Sequence, residues 1–243
     1  AAKPKPAERA PIAFMFSGQG AQYAGMAAQL YRSPTVFRDA LDRCAALARP
    51  HLSHDLLDVI FARGLDETLI NRTDYTQPAL LAVEYALAEL LQSFGIVPDA
   101  VIGHSLGEIA AACVAKAMTI DDAMRLAIAR GALMHGLPAG GAMIAIMAPE
   151  REVRPLIEAV APGIEIAAMN GPLNTVVSGD REALQALTAA LDKRALNYRE
   201  LRISNGFHSA RTEPILDQLE AVAADVAHSA PVLPLISNLT GAR

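Results

Sequence analysis

The chain has 243 residues, of which 52% are hydrophobic and 19% charged, and its 21 basic and 26 acidic residues give a formal net charge of −5. This composition excludes a largely disordered chain, and the lack of a basic excess argues against a dedicated nucleic-acid binder. No apolar run approaches the ~18 residues of a membrane-spanning helix, so we expect no membrane association. Cys44 and Cys113 are far apart in the sequence, which favours a reducing, cytoplasmic compartment over a disulfide framework.

The first part of the chain predicts a linker, a strand and two helices. Residues 1–11 are rich in proline, lysine and alanine and predict an extended linker, with an expression scar as the alternative. Residues 12–16 predict a short buried strand that ends in the glycine-lined loop Ser17-Gly18-Gln19-Gly20. Helical spacing follows at residues 36–47, and Pro78 predicts the start of a helix that continues to residue 91.

The middle of the chain predicts a strand at residues 100–102, a helix from about residue 108, and a helix at 120–135 that is capped by Thr119. Beyond residue 140, strands at 143–147, 164–169, 175–178 and 198–203 alternate with helices at 150–160 and 181–191 in the ferredoxin-like order β-α-β-β-α-β. A helix at 213–226 and a strand at 232–236 follow. We therefore predict an α/β fold with an α/β-hydrolase-like large subdomain, residues 12–139 and 207–243, and an inserted ferredoxin-like small subdomain, residues 140–206.

A candidate nucleophile lies in the segment Gly103-His104-Ser105-Leu106-Gly107, which fits G-x-S-x-G between a predicted strand and a predicted helix. In such a turn Ser105 sits at the sheet edge and at a helix N-terminus, which favours developing negative charge. The amide of Leu106 is then a natural oxyanion donor. A glycine-rich turn with a capping serine is the structural alternative.

Other residues are candidates for supporting chemistry. His208 is the best candidate base, because it lies after a predicted strand and C-terminal to the serine. Arg130 lies on an apolar helix face, so it has either an internal carboxylate partner or one that a substrate supplies. The Ser17–Gly20 loop lacks a phosphate-binding pattern but is able to place an amide beside the elbow. We expect no metal, because no Cys/His/Asp cluster has ligand spacing.

Together these motifs resemble the malonyl-CoA:acyl carrier protein acyltransferase family, in particular the acyltransferase domain of modular type I polyketide synthases. The resemblance covers nearly the whole chain after the linker and follows the order of the family. The matching segments are FMFSGQGAQYAGM (14–26), TDYTQPALLAVEYAL (73–87), VIGHSLGEIAAACVA (101–115), RLAIARGALM (125–134), NGPLNTVVSGD (170–180), NGFHSA (205–210) and PLISNLTG (234–241).

The resemblance implies a role for each matching position. Ser105 would be acylated with His208 as its base, and Gln19 and Leu106 would supply the oxyanion-hole amides. A main-chain carbonyl near Asn238 would orient His208 in place of a triad carboxylate. The reaction would move a malonyl-type group from malonyl-CoA to the phosphopantetheine thiol of an acyl carrier protein, with no bound cofactor.

The resemblance also implies a substrate-binding set, in which Arg130 pairs with the substrate carboxylate; its members are Arg130, Gln77, Phe207 and His104. In this family a Phe-His pair accompanies malonyl and a Ser-His pair methylmalonyl, so Phe207-His208 predicts that malonyl is preferred. The segment Asn205-Gly206 departs from the commoner His-Ala. Arg211 and Thr212 stand where the family usually has apolar residues, and the sequence offers no account of them.

The implied partners are an acyl carrier protein, a CoA thioester and, within a modular synthase, neighbouring ketosynthase and linker domains, with no nucleic acid and no membrane. Two alternatives remain open. A serine esterase or thioesterase would share the elbow and would need an acid, for which Asp180 is the nearest choice. A catalytically inactive domain that docks carrier proteins is the non-enzymatic alternative.

Overall fold

The computed structural model describes residues 9–33, 35–201 and 205–243. The described α-helices are α1 (Ala28–Arg32), α2 (Val36–Ala48), α3 (Leu56–Phe61), α4 (Thr73–Ser93), α5 (Leu106–Val114), α6 (Ile120–His135), α7 (Glu150–Val160), α8 (Arg181–Lys193) and α9 (Leu216–Ala224). The strands are β1 (Ala13–Phe16), β2 (Ala100–Gly103), β3 (Gly141–Ile146), β4 (Glu165–Gly171), β5 (Asn174–Asp180), β6 (Tyr198–Glu200) and β7 (Leu235–Ile236). Two 3₁₀ segments span Glu67–Asn71 and Ala210–Ile215.

The large subdomain contains a parallel sheet of order β1-β2-β7, in which Phe16 is level with Gly103. The loops that follow β1 and β2 therefore leave the same edge of the sheet, where ligands bind in open α/β sheets. The prediction of a buried first strand was wrong for one of its faces. Phe16 packs into the core, whereas Met15 is 80% exposed, because alternate residues of a strand point to opposite faces and Met15 lines an open cleft.

Helix α4 is the centre of the large subdomain and packs against α2 and α6. The prediction that Pro78 opens this helix was wrong, because α4 begins at Thr73 and holds Pro78 inside it. Pro78 is the sixth residue of α4, beyond the first turn, so the helix there lacks the one bond that an N–H at this position would donate to the Asp74 carbonyl. Thr76 stabilises the first turn instead, since its hydroxyl donates to the carbonyls of Ile70 and Arg72 at 2.7 and 2.9 Å.

The small subdomain is an antiparallel sheet of order β4-β5-β3-β6 with α7 and α8 packed on it, which is the predicted ferredoxin-like arrangement. Each helix buries one apolar stripe, and the buried residues are Val153, Leu156, Ile157, Leu184, Leu187 and Leu191. Strand β6 covers Tyr198–Glu200 of the strand predicted at 198–203, and the last two predicted residues, 202 and 203, lie outside the described residues.

Three predicted boundaries shift because of proline or of local anchoring. The helix predicted at 213–226 is a 3₁₀ segment containing Pro214 followed by α9, and the strand predicted at 232–236 shrinks to β7 after Pro234, which has no N–H to donate. Residues 1–8 of the predicted linker lie outside the described residues. Arg9 is already anchored, because it donates to Asp99 at 2.6 Å. None of the helices in the described ranges is both long and apolar enough to cross a membrane.

Candidate active site

The nucleophile elbow forms where β2 runs directly into α5. Ser105 has φ 53° and ψ −108°, a strained backbone that lifts its side chain out of the turn. The flanking glycines are required by close approach, since a Cβ on Gly103 would lie 1.9 Å from the Gly107 carbonyl and one on Gly107 would lie 2.4 Å from the Phe16 carbonyl oxygen. The G-x-S-x-G spacing therefore follows from the packing of the turn against both strands.

Ser105 is in hydrogen-bond contact with two of the predicted site residues. Its Oγ lies 2.9 Å from Nε2 of His208, and it accepts a bond of 3.0 Å from Nη2 of Arg130. The structure thus brings together a hydroxyl, an imidazole and a guanidinium from three distant parts of the chain. A nucleophile within reach of a base is the arrangement that covalent acyl transfer needs.

His208 is held in a strained left-handed backbone conformation, with φ 57°. Burial and then the nearby charge of Arg130 lower the pKa of His208 to about 4, so that its ring is neutral near pH 7. On its other side His208 is open to the cleft. A neutral ring is able to accept the proton of Ser105.

Arg130 projects from α6 into the same region and has no carboxylate partner in the part of the chain that the structure describes. Burial lowers its pKa to about 10. Its Nη1 donates to Oε1 of Gln77 at 2.7 Å, and Gln77 is fully buried. Gln77 therefore orients the guanidinium. A buried cation with only neutral partners is costly, and a carboxylate ligand would offset that cost.

Donors for an oxyanion are available on both sides of Ser105. The amides of Gly107 and Glu108 are already bonded to carbonyls of the turn, whereas the Leu106 N–H at the start of α5 has no acceptor among residues 9–33, 35–201 and 205–243. On the other side, Gly18 lies against His104, where an added Cβ would be 2.7 Å from Nδ1. The loop that carries Gln19 therefore abuts the elbow, and the Gln19 side chain donates to Thr73 at 3.1 Å.

Glu84 fixes this loop, and sequence reasoning missed it. Its Oε1 accepts from the backbone N–H and the hydroxyl of Ser17 at 2.7 and 2.6 Å. Burial raises the pKa of Glu84 to about 7 even though these two bonds lower it. The available signal was an ionisable residue in the middle of the otherwise apolar stretch of α4 from Ala79 to Leu87.

The predicted role of Asn238 in orienting His208 is not the contact that forms. Within the described residues, no hydrogen bond joins the Asn238 carbonyl to His208. Asn238 instead donates from its backbone N and its side chain to Glu108, both at 3.0 Å, and from its side chain to the Gly103 carbonyl at 2.5 Å. Because Gly103 and Glu108 flank the elbow, Asn238 ties β7 to the elbow rather than to the base.

The structure places His104 and Phe207 beside the site rather than at its centre. Nε2 of His104 lies 3.0 Å from Oδ1 of Asn170 on β4, which links the elbow to the small subdomain. Phe207 is 4% exposed in an apolar cluster between the subdomains and does not line the cleft. Ala167 and Ala168, which do line it, pack against that cluster, so Phe207 belongs to the apolar cluster behind the cleft wall.

Ser105, His208 and Arg130 open into a cleft of about 860 Å³ between the two subdomains. Its walls are mainly apolar, with contributions from Met15, Ile109, Met118, Leu126, Leu219 and Leu239. No group of three or more His, Cys, Asp or Glu residues that would hold a metal occurs in the described ranges. A cleft of this kind suits a largely apolar acyl and thioester arm with one anionic end.

Asp180, the acid that the esterase alternative requires, is not beside the base. Its carboxylate pairs with the guanidinium of Arg211 at the start of α8. Within the described part of the chain the only hydrogen-bond partner of the His208 ring is Ser105. The arrangement is a Ser-His pair with a neighbouring arginine, not a Ser-His-Asp triad.

Comparison with known proteins gives a consistent picture. The profile of the family described as acyl transferase domain matches residues 13–242. The chain is 44% identical over 228 residues to mycoketide-CoA synthase of Mycobacterium tuberculosis and 42% identical over 231 residues to polyketide synthase GfsA of Streptomyces halstedii. Each match covers 94% of this chain but only 5% and 3% of those proteins.

Solved structures agree in fold over nearly the whole chain. The acyltransferase domain from the second module of the salinomycin polyketide synthase is 43% identical, with a TM-score of 0.90 over 98% of this chain and 55% of that one. The malonyl CoA-acyl carrier protein transacylase of Coxiella burnetii is 29% identical, with a TM-score of 0.83 over 94% of this chain and 72% of that one. The chain thus spans about half of the salinomycin domain structure and a few per cent of the curated synthases.

Proposed function

The chain belongs to the acyl transferase domain family, whose matched relatives are polyketide synthases, and we propose that it moves a malonyl-type group from CoA to the phosphopantetheine thiol of an acyl carrier protein. The observation that carries this proposal is the buried guanidinium of Arg130, 3.0 Å from Ser105 Oγ and without a carboxylate partner among the described residues. The proposal also places the domain beside ketosynthase and linker domains in a modular synthase. The support is that the chain matches only a few per cent of the length of much larger polyketide synthases.

Arg130 supports a donor that carries its own carboxylate. In a malonyl thioester one carbon separates the carboxylate from the thioester carbonyl. A cation next to the nucleophile can therefore bind the carboxylate while the carbonyl lies at the serine. A planar guanidinium binds a carboxylate with two parallel bonds, which fixes the carbonyl in front of Ser105. An acetyl group offers no such anchor and would leave the cation buried without a charged partner.

The chemistry follows from the distances around Ser105. Its hydroxyl attacks the thioester carbonyl while neutral His208, 2.9 Å away, takes the proton. The tetrahedral oxyanion accepts a hydrogen bond from the Leu106 N–H at the N-terminus of α5, and the Gln19 N–H is the second donor. The C–S bond then breaks, the CoA thiolate takes the proton back from His208, and an acyl-serine remains. In the second half the phosphopantetheine thiol gives its proton to His208 and attacks the acyl carbonyl. The ester C–O bond to Ser105 breaks, Ser105 Oγ takes the proton from His208, and the acyl group leaves as a thioester of the carrier.

Within malonyl-type donors we propose a preference for malonyl over methylmalonyl. The buried Phe207 ring supports it, because the ring belongs to the apolar cluster behind Ala167 and Ala168 on the cleft wall. A branch at the second carbon of the acyl group needs volume on that side of the base. A smaller side chain at position 207 would allow the cleft wall to move back and make room for a methyl branch.

Intact-protein mass spectrometry after brief incubation with malonyl-CoA, methylmalonyl-CoA or acetyl-CoA tests the proposal. We expect a malonyl adduct that is absent in Ser105→Ala and strongly reduced in Arg130→Ala. Arg125→Ala on the same helix is the matched control, because Arg125 lies at the surface and bonds Asp122 and the Asp225 carbonyl. An acetyl adduct that forms as fast as the malonyl adduct, or a malonyl adduct that persists without Ser105, would refute the mechanism.

A further inference from the structure

Arg211 lies where the chain crosses between the two subdomains, and the activity does not yet account for it. Its guanidinium donates to the carbonyls of Pro138 and Ala139 at 2.8 and 3.0 Å, in the segment that connects the large subdomain to β3. It also donates to Oδ1 of Asn205 at 3.1 Å on the returning chain, and it pairs with the carboxylate of Asp180 at the start of α8. The Arg211 side chain therefore joins the two segments that connect the subdomains and also bonds to the start of α8 in the small subdomain.

Asn205 and Gly206 complete the same arrangement. Asn205 is 3% exposed, and its amide donates to the Pro138 carbonyl at 2.9 Å while its Oδ1 accepts from the Gly206 N–H and from Arg211. A Cβ on Gly206 would lie 2.9 Å from the Gly179 carbonyl oxygen and 3.1 Å from Cδ of Arg211. The departures from the family pattern at 205, 206 and 211 are thus parts of one packed unit, which we call the crossover clamp.

The members of the crossover clamp flank the base in the sequence. His208 lies between its members Gly206 and Arg211, and it keeps φ 57°, a conformation that a non-glycine residue holds only when its surroundings fix it. The Ser209 hydroxyl donates to the Gly206 carbonyl at 2.8 Å and closes the turn. Asn205, Gly206 and Ser209 are all buried, so the turn has little freedom to relax on its own.

We propose that Arg211 is a positioning residue, which acts through the crossover clamp to hold the strained His208 turn at hydrogen-bond distance from Ser105. Among the described residues, Arg211 bonds to Asn205, Asp180, Pro138 and Ala139 and not to Ser105 or His208. Its bonds to the Pro138 and Ala139 carbonyls fix the turn relative to the large subdomain, which also carries the elbow. Because a misplacement of about 1 Å costs roughly 100-fold in rate, loss of the clamp lowers catalysis without removing any reacting group.

Two readouts separate this role from general stability, and only the second rests on the proposed function. The first is the rate at which a fluorophosphonate labels Ser105, where the hydroxyl forms a bond to phosphorus, fluoride leaves and His208 takes the proton. The second is kcat and KM for malonyl transfer. The variants are Arg211→Met, Arg211→Lys and, as the control, Arg154→Met, whose arginine pairs with Glu150 on the surface of α7.

We expect Arg211→Met to lower both the labelling rate and kcat by about 10- to 100-fold while KM changes less than about 2-fold. Arg211→Lys is expected to recover part of the loss, because an ammonium still serves one or two of the four acceptors. Arg154→Met is expected to match the wild type. Unchanged labelling in folded Arg211→Met, or an equal loss in Arg154→Met, would overturn the proposal.

A second variant keeps the test decisive where Arg211→Met does not fold. Asn205→Ala breaks the clamp from the returning chain, and the folded variant is expected to show the same selective fall in labelling and kcat. Normal labelling of Asn205→Ala would refute the clamp. If labelling is slower in Arg211→Met than in the wild type, but malonyl-CoA never acylates the wild type, the clamp would be supported and the proposed function refuted.

Discussion

Glu84→Gln changes an ionisable group that supports the loop of Gln19. Oε1 of Glu84 accepts two bonds from Ser17, while Oε2 is buried and has no hydrogen-bond partner in the described ranges. A glutamine keeps the accepting oxygen and has nearly the same shape, but it carries no charge. The substitution therefore isolates the cost of ionising a carboxyl group in this position.

The sign and size of the effect follow from the pKa of Glu84, which burial raises from 4.5 to about 7. Between these values the folded state binds more protons than the unfolded state, so stability is fully present below pH 4.5 and is lost as the pH rises through about 7. The difference corresponds to at most about 3 kcal/mol of unfolding free energy above pH 7. Glu84→Gln removes this loss.

Urea unfolding of the wild type and Glu84→Gln from pH 5 to pH 8 measures the difference directly. We expect the two proteins to differ least at pH 5 and the variant to gain up to about 3 kcal/mol relative to the wild type by pH 8. Glu89→Gln, at a carboxylate further along α4 that does not accept from Ser17, is the control. Parallel stability curves for the wild type and Glu84→Gln would refute the reasoning.

The other predictions concern the reacting groups. Arg130→Ala is expected to lower kcat/KM for malonyl-CoA by about 100-fold or more, since breaking a buried ion pair costs about 3 kcal/mol or more, and to reduce the preference for malonyl-CoA over acetyl-CoA in a donor-competition assay. Phe207→Ser is expected to raise the methylmalonyl-to-malonyl ratio by about 10-fold in the same assay, and an unchanged ratio would show that the ring does not set selectivity. The rate of Ser105 acylation is expected to stay level from pH 8 to about pH 5 and to fall only near the pKa of His208, about 4. Arg130→Ala is expected to move that fall to higher pH, because removal of a nearby cation makes protonation of the ring easier.

The sequence predicted the elbow and most elements well because their determinants are local. A short apolar strand, two glycines and a helix are enough to specify the turn around Ser105, and the Thr119 side chain caps α6 as predicted. Element ends were less accurate where proline was the main signal, as at Pro78, which lies inside α4. A single residue type marks a boundary poorly when the surrounding turn has other bonds that stabilise it.

The interactions that hold the site together were beyond sequence reasoning because each depends on a distant partner. In the sequence Glu84 is one polar residue on an apolar helix, and only the fold shows that it bonds to Ser17. Asn238 matched a family motif, yet its bonds go to the elbow and not to the base. Arg211 was without explanation until the fold brought the Pro138 carbonyl to its guanidinium. Periodicity does not report which pairs of loops meet.

Under the proposed function, the positions of Arg130 and His208 would also couple recognition of the donor to the strength of the base. In the free protein the guanidinium charge is one of the causes that keep the pKa of His208 low. A carboxylate bound to Arg130 would offset that charge, so the pKa of His208 would rise when a malonyl-type donor is seated and the ring would become a stronger base toward Ser105. An acetyl donor leaves the charge in place. Arg130 would therefore discriminate in the chemical step as well as in binding, which favours dicarboxylic donors more strongly than the ion pair alone.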